Sequence, residues 1–149
     1  MAKKIGFVGV GLMGHGMAKN LLAKGFPVTV MAHKNRKPIE DLLTQGAQEA
    51  KTPRAIAEAS DVVILCVTGA PQVESVVYGD NGVLGAFKKG MVLLDCSTSE
   101  PAMSERVAKD LAAAGAAYVD APLARSPADA EAGKLNTMVG AEEQVFGEI

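Results

Sequence analysis

"GFVGVGLMGHGMAKNLLAKG", Gly6 to Gly25, is the stretch on which the fold turns. A short apolar run from Lys4 to Val8 leads into "GVGLMG", Gly9 to Gly14. Behind it, Gly14, Met17, Ala18, Leu21 and Leu22 recur at helical spacing and would lay one helix face on a sheet. Strand, GxGxxG and helix in this order form a turn that can present backbone N–H groups to phosphate. Gly9 permits the tight turn, Gly11 lets the main chain approach a pyrophosphate, and Gly14 lets the helix pack close to the strand. The free amides and the positive helix end then face the diphosphate of a dinucleotide. Glycine loops of kinases are followed by a strand carrying a lysine, whereas a helix follows here. Gly25 supplies the helix stop.

Outward from this unit the pattern repeats. "FPVTVM", "DVVILCV", "GMVLLDC" and "AAYVDAP" are near-continuous apolar runs, as expected for strands buried on both faces of a parallel sheet. "TPRAIAEAS" reads as a short helix capped by Thr52 with Pro53 in its first turn, and "APQVESVVY" begins the same way at Pro71. A glycine-punctuated connection, "GDNGVLGAFKKG", precedes the strand at Met91. "STSEPAMSERVAKDLAAAG" places Met103, Val107 and Leu111 on one face and ends at Gly115. Alternating strands and helices predict right-handed crossovers and an α/β, three-layer, doubly wound parallel sheet of the Rossmann type. Past Asp120 the pattern loosens into a loop and short helix, "TMVG" as a small strand, and "AEEQVFGEI" as the start of a helix that Ile149 leaves in mid-element.

The chain has 149 residues, within the range of one domain, and is 48% hydrophobic and 21% charged, a globular profile. A net charge of −2 argues against a nucleic-acid partner. No run reaches the roughly 20 apolar residues a membrane span needs, and "MAKKIGFVGVG" lacks a secretory pattern, so the cytoplasm is the expected compartment. Cys66 and Cys96 form no CxxC pair and read as buried reduced thiols. His15 and His33 have no carboxylate or cysteine at ligand spacing, so no metal is predicted. His15 reads as an exposed residue of the first helical turn.

"VTVMAHKNRK", Val28 to Lys37, decides the cofactor. An NAD site usually ends its second strand in Asp or Glu about 20 residues beyond the glycines, where the acid binds the ribose hydroxyls. Ala32, 23 positions after Gly9, stands there instead. Without that acid a 2′-phosphate is not repelled, and His33, Lys34 and Arg36 offer donors to attract one. NADP is the expected cofactor, with NAD second. The alternative for Arg36 and Lys37 is that they face water.

With the glycine loop in place, "DCSTSEP" and "DAPLARSPADAEAGKLNTMVG" complete a set of three ordered motifs covering nearly the whole chain. Together they resemble the 3-hydroxyacid dehydrogenase family, which includes 3-hydroxyisobutyrate dehydrogenase. The resemblance implies reversible hydride transfer between NAD(P) and a small 3-hydroxy acid or its semialdehyde. It places cofactor contacts on Gly9, Gly11, Leu12, Met13 and Gly14, on Val67 and Thr68 at the nicotinamide-side end of the strand "DVVILCV", and on Ser97 and Thr98. For Ser97 and Thr98 helix capping before Pro101 is the alternative. Asp95 and Asp120 read as hydrogen-bond acceptors that fix loops.

Two departures from the family pattern stand out. Its usual Ser-Gly-Gly is replaced by Ala124, Arg125 and Ser126, so substrate contacts must differ. Arg125 could clamp a carboxylate in bidentate fashion, or else face solvent or another subunit. Secondly, the family's GxxxKxxxN motif, whose lysine serves as general acid/base, has no match: no lysine here has asparagine four residues later. The all-helical second domain that carries that motif and makes the dimer is also missing. The chain is therefore expected to be the cofactor half of an enzyme, with no catalytic residue of its own and little or no turnover alone. A non-catalytic dinucleotide sensor or reader module and an imine-reductase relative remain rival readings.

Overall fold

The computed structural model describes residues 1–149. Six parallel strands, β1 (Ile5–Val8), β2 (Val28–Val30), β3 (Gln48–Glu49), β4 (Val62–Leu65), β5 (Val92–Asp95) and β6 (Ala117–Asp120), form one sheet in the order β3-β2-β1-β4-β5-β6. The order reverses between β1 and β4, and a crevice for ligands opens there at the carboxyl ends of the strands. The doubly wound expectation is met.

Helices cover both faces because each carries one apolar stripe. Beside α1 (Leu12–Ala23) and α2 (Lys37–Thr44), Ala18, Ile39 and Leu42 pack with Phe7 and Val30 in one core. On the other face, α3 (Pro53–Glu58), α4 (Ala70–Tyr78) and α5 (Pro101–Ala113) bury Ile56, Val73, Val77, Val107 and Leu111 against Leu65 and Leu93. Phe7 is wholly buried, and a side chain of its class contributes roughly 1.5–3 kcal/mol when removed from water. Thr52 caps α3 as expected, its Oγ1 accepting from the Ala55 amide at 3.1 Å.

Beyond the sheet, β7 (Leu123–Ala124) pairs antiparallel with β8 (Asn136–Thr137) around α6 (Pro127–Glu131), and α7 (Glu143–Glu148) follows. The strand expected at "TMVG" is shifted: only Thr137 belongs to β8, while Gly140 bridges Asp120. The second strand also stops earlier than "FPVTVM" suggested. Its pairing with β1 ends at Phe7 opposite Val30, and Met31 and Ala32 leave the sheet.

Candidate functional site

A cleft of about 970 Å3 opens at the carboxyl ends of β1, β2 and β4. Its floor is the turn out of β1. Gly9 has φ +100°, and a Cβ there would lie 2.2 Å from the Cys66 carbonyl oxygen, so the turn needs glycine on both counts. Gly14 is buried: a Cβ on it would lie 2.1 Å from the Gly9 carbonyl oxygen, which is how closely α1 approaches the strand. Gly11 differs, since nothing stands within 4 Å of its missing Cβ. It occupies the N-cap position of α1 and provides no capping side chain, so the first-turn amides stay available to an anion.

The predicted cofactor residues divide. Gly9, Gly11, Leu12, His33, Lys34, Val67 and Thr68 line the cleft, and Leu12 is strongly exposed there. Met13 and Gly14 do not line it. The expectation that Arg36 reaches into the cleft is not met. Its Nη1 and Nη2 donate to the two Glu49 carboxylate oxygens at 3.0 and 3.2 Å, and Glu40 lies 3.6 Å from Nε. The Arg36 guanidinium in turn holds the Glu49 carboxyl below its ordinary range. Lys37, one residue on, does line the cleft.

Ser97 lies beneath the cleft and Thr98 is exposed outside its lining. Neither caps α5, whose N-cap is Glu100 without a side-chain bond. Ser97 instead accepts the Val67 amide on its Oγ at 3.0 Å, while its own amide donates to Asp95 Oδ1 at 2.9 Å. Tyr118 Oη donates to Asp95 Oδ2 at 3.1 Å. Buried Asp95 thus fixes the loop that carries Val67, as the sequence suggested. Asp120 departs from that reading. Its main chain pairs with Gly140, its carboxylate takes no hydrogen bond, and burial followed by the nearby Asp95 charge raises its pKa.

Ala124, Arg125 and Ser126 lie outside the cleft lining. Ser126 caps α6 in a reciprocal box with Asp129. Arg125 has φ +86°, a left-handed conformation that costs a side-chain-bearing residue about 1 kcal/mol or more. With the Asn136 carboxamide oxygen turned toward it, the guanidinium donates through Nε and Nη2 at 3.2 Å each.

Sequence reasoning missed the rim. His15, Asp41 and Glu131 line the cleft together, with His15 Nε2 2.7 Å from Asp41 Oδ2 and Nδ1 bonded to Glu131 Oε1. Met31, Pro53 and Val76 add an apolar wall. Cys66 lines the floor, and Cys66 and Cys96 are both free. Burial pushes the Cys66 thiol up to about 11 and the Cys96 thiol to about 12, so both stay protonated near neutrality. No helix is long and apolar enough to cross a membrane.

Residues 4–149 match the family described as the NAD binding domain of 6-phosphogluconate dehydrogenase. The chain is similar to 2-(hydroxymethyl)glutarate dehydrogenase of Eubacterium barkeri, at 43% identity over 98% of this chain and 48% of the relative. It is also similar to 2-hydroxy-3-oxopropionate reductase of Escherichia coli K12, at 38% identity over 98% of this chain and 49% of the relative. Among solved structures, that of Psf3 in complex with NADP+ and 2-OPP superposes with a TM-score of 0.89 at 31% identity, covering 97% of this chain and 51% of that one. The chain spans about half the length of the curated relatives it matches.

Proposed function

The chain belongs to the family of the NAD binding domain of 6-phosphogluconate dehydrogenase, and on that premise we propose that it is the cofactor half of an NADP-dependent oxidoreductase acting on small 3-hydroxy acids or their semialdehydes. One observation carries the reading: an uncapped helix start over a glycine turn opens into a cleft whose other end holds His33, Lys34 and Lys37 with no acid at the strand tip. The diphosphate rests on Gly9, Gly11 and Leu12, and the 2′-phosphate lies near His33 and Lys34. Met31, Pro53 and Val76 suit a flat apolar ring. Val67 and Thr68 border the nicotinamide, which supplies or accepts the hydride. That relatives named for 2-(hydroxymethyl)glutarate and 2-hydroxy-3-oxopropionate share this half supports a carboxylate substrate. A similar fold bound to NADP+ supports the cofactor.

Substrate contacts fall to Ala124, Arg125 and Ser126, with the Arg125 guanidinium as the anion ligand. The proton-transferring lysine belongs to a second, helical domain, so this chain by itself turns over little or nothing and acts within a homo-oligomer. The cytoplasm is the proposed compartment.

Titration with NADPH and NADH, followed by cofactor fluorescence, tests the reading. A charge-assisted hydrogen bond contributes roughly 1.5–3 kcal/mol, so NADPH is expected to bind about ten- to a hundredfold more tightly. Lys34→Ala should cut that ratio roughly tenfold, while Arg36→Ala, whose guanidinium is held by Glu49, should leave it nearly unchanged. Equal affinities, or tighter NADH binding, would remove the NADP assignment.

A further inference from the structure

At the rim of the cleft, His15 from α1 sits between Asp41 of α2 and Glu131 of α6. Lys19, one turn along α1, is 3.0 Å from the other Glu131 oxygen. Each acid has a further partner. Asp41 also accepts from Gln45 Nε2 at 2.8 Å, and α6 is docked hard on α1. A Cβ on Gly16 would lie 2.5 Å from the Ala130 carbonyl carbon, and Asn20 Nδ2 donates to the Ala130 and Glu131 carbonyls at 2.9 and 3.2 Å. Two carboxylates are thereby fixed on the wall of a cleft whose floor is arranged for phosphate.

We propose that His15 is a positioning residue of the dinucleotide site, bridging Asp41 and Glu131 as an imidazolium so that the diphosphate enters past a balanced rim and not a negative one. The inference rests on the dinucleotide reading given above. The charge balance at the rim is simple. Asp41, Glu131 and Lys19 leave one net negative charge, and the His15 proton cancels it. Of the remaining basic groups of the cleft, His33 and Lys34 belong to the segment after β2 and Lys37 opens α2 one turn before Asp41; none makes an ion pair with either acid. The strand β2 itself, Val28–Val30, brings no titratable group to the rim.

Burial taken alone would lower the His15 pKa, but the hydrogen bonds to Glu131 and Asp41 outweigh it and the net displacement is upward from 6.5. Because the folded value is raised, the proton is retained through the acidic range and lost as pH climbs past that value. Binding of an anionic dinucleotide therefore weakens with rising pH, and by linkage binding holds the His15 proton more firmly.

NADH is the suitable probe, since it lacks the 2′-phosphate, a group that itself titrates at about pH 6. For the chain as it stands, the NADH dissociation constant is expected to rise roughly three- to tenfold between about pH 6 and about pH 8.5. His15→Gln should bind at about pH 6 as weakly as the parent does at about pH 8.5, with most of the pH dependence gone. In the Asp41→Asn, Glu131→Gln background the same His15→Gln change should no longer weaken binding. Imidazole NMR on the unaltered chain gives a check that needs no variant. The His15 ring is followed by its own resonances, and its titration midpoint should rise on saturation with NADH.

A dissociation constant unaffected by pH, or an undiminished pH dependence in a folded His15→Gln chain, would overturn the proposal while leaving the dinucleotide reading intact. Failure of both NADH and NADPH to bind at either pH would remove both.

Discussion

Gly9→Ala is expected to lower the stability of the chain by about 3–5 kcal/mol and to abolish measurable NADPH binding. Two independent costs add at this position. A φ of +100° is left-handed backbone, which alanine adopts only under strain, and the new Cβ would lie 2.2 Å from the Cys66 carbonyl oxygen. That oxygen belongs to the main chain just beyond β4, whose position is set by its pairing with β1 and β5, so it cannot swing aside as a side chain could. At roughly 2–4 °C per kcal/mol for a chain of this size, the thermal midpoint should fall by about 6–20 °C. Gly11→Ala makes the informative contrast. With nothing within 4 Å of its Cβ and φ at −103°, it should melt within about 2 °C of the parent. It should still weaken NADPH, because its methyl fills the space proposed for the diphosphate. If both variants lost binding and stability equally, the turn would be a purely structural feature.

Asp95→Ala should produce the second large loss, about 3 kcal/mol, measured by thermal or urea unfolding. Its side chain is fully buried and accepts from the Ser97 amide and the Tyr118 hydroxyl, so truncation leaves the Ser97 amide without an acceptor in the interior and the part-buried Tyr118 hydroxyl with Ser104 Oγ alone. Relief of the cost of burying the carboxyl group offsets part of this, which keeps the estimate below the sum of two broken contacts. Asp95→Asn retains an acceptor for the Ser97 amide and a side chain of the same shape, and should cost less than about 1.5 kcal/mol. The effect reaches the cleft through one further bond. Ser97 Oγ accepts from the Val67 amide, and Val67 lines the wall, so Asp95→Ala should also weaken NADPH binding in whatever fraction remains folded. Unchanged stability would show that these donors find other partners.

The central architecture was legible because it is written in local patterns. Runs such as Val62 to Leu65 are apolar at every position and could only be buried on both faces, and the helix stripe behind Gly9–Gly14 points one way. The elements that escaped reading lack such a signature. β3 is two exposed polar residues, Gln48 and Glu49, added to the sheet edge by pairing with Thr29 and Val30. α2 was hidden by the basic run that leads into it.

The candidate site was legible only in part, for a related reason. Gly9, Gly11, His33 and Lys34 could be placed in the cleft lining because each sits at a fixed offset from a strand end, and Leu12 through the family resemblance. Arg36 could not, because its fate depends on Glu49, which the edge strand carries to it across thirteen residues of chain. The signal available was Glu40, one helical turn along from Arg36. His15 meets Glu131 across 116 residues, through the docking of α6 on α1, and no spacing rule reaches that far. Ser97 reads in the sequence as a cofactor contact with helix capping as the alternative; α5 takes its N-cap at Glu100, and the bond from the Val67 amide to Ser97 Oγ, thirty residues apart, leaves no mark in the local pattern.

The most direct measurement is a backbone-amide NMR titration of the chain with NADPH and, separately, with NADH. Both ligands should shift the amides of Gly9, Val10, Gly11, Leu12 and Val67, and NADPH alone should add large shifts at His33 and Lys34. Saturable binding that leaves the Gly9–Gly14 amides unmoved, or no binding at all by either dinucleotide, would contradict the assignment of this turn as the diphosphate cradle.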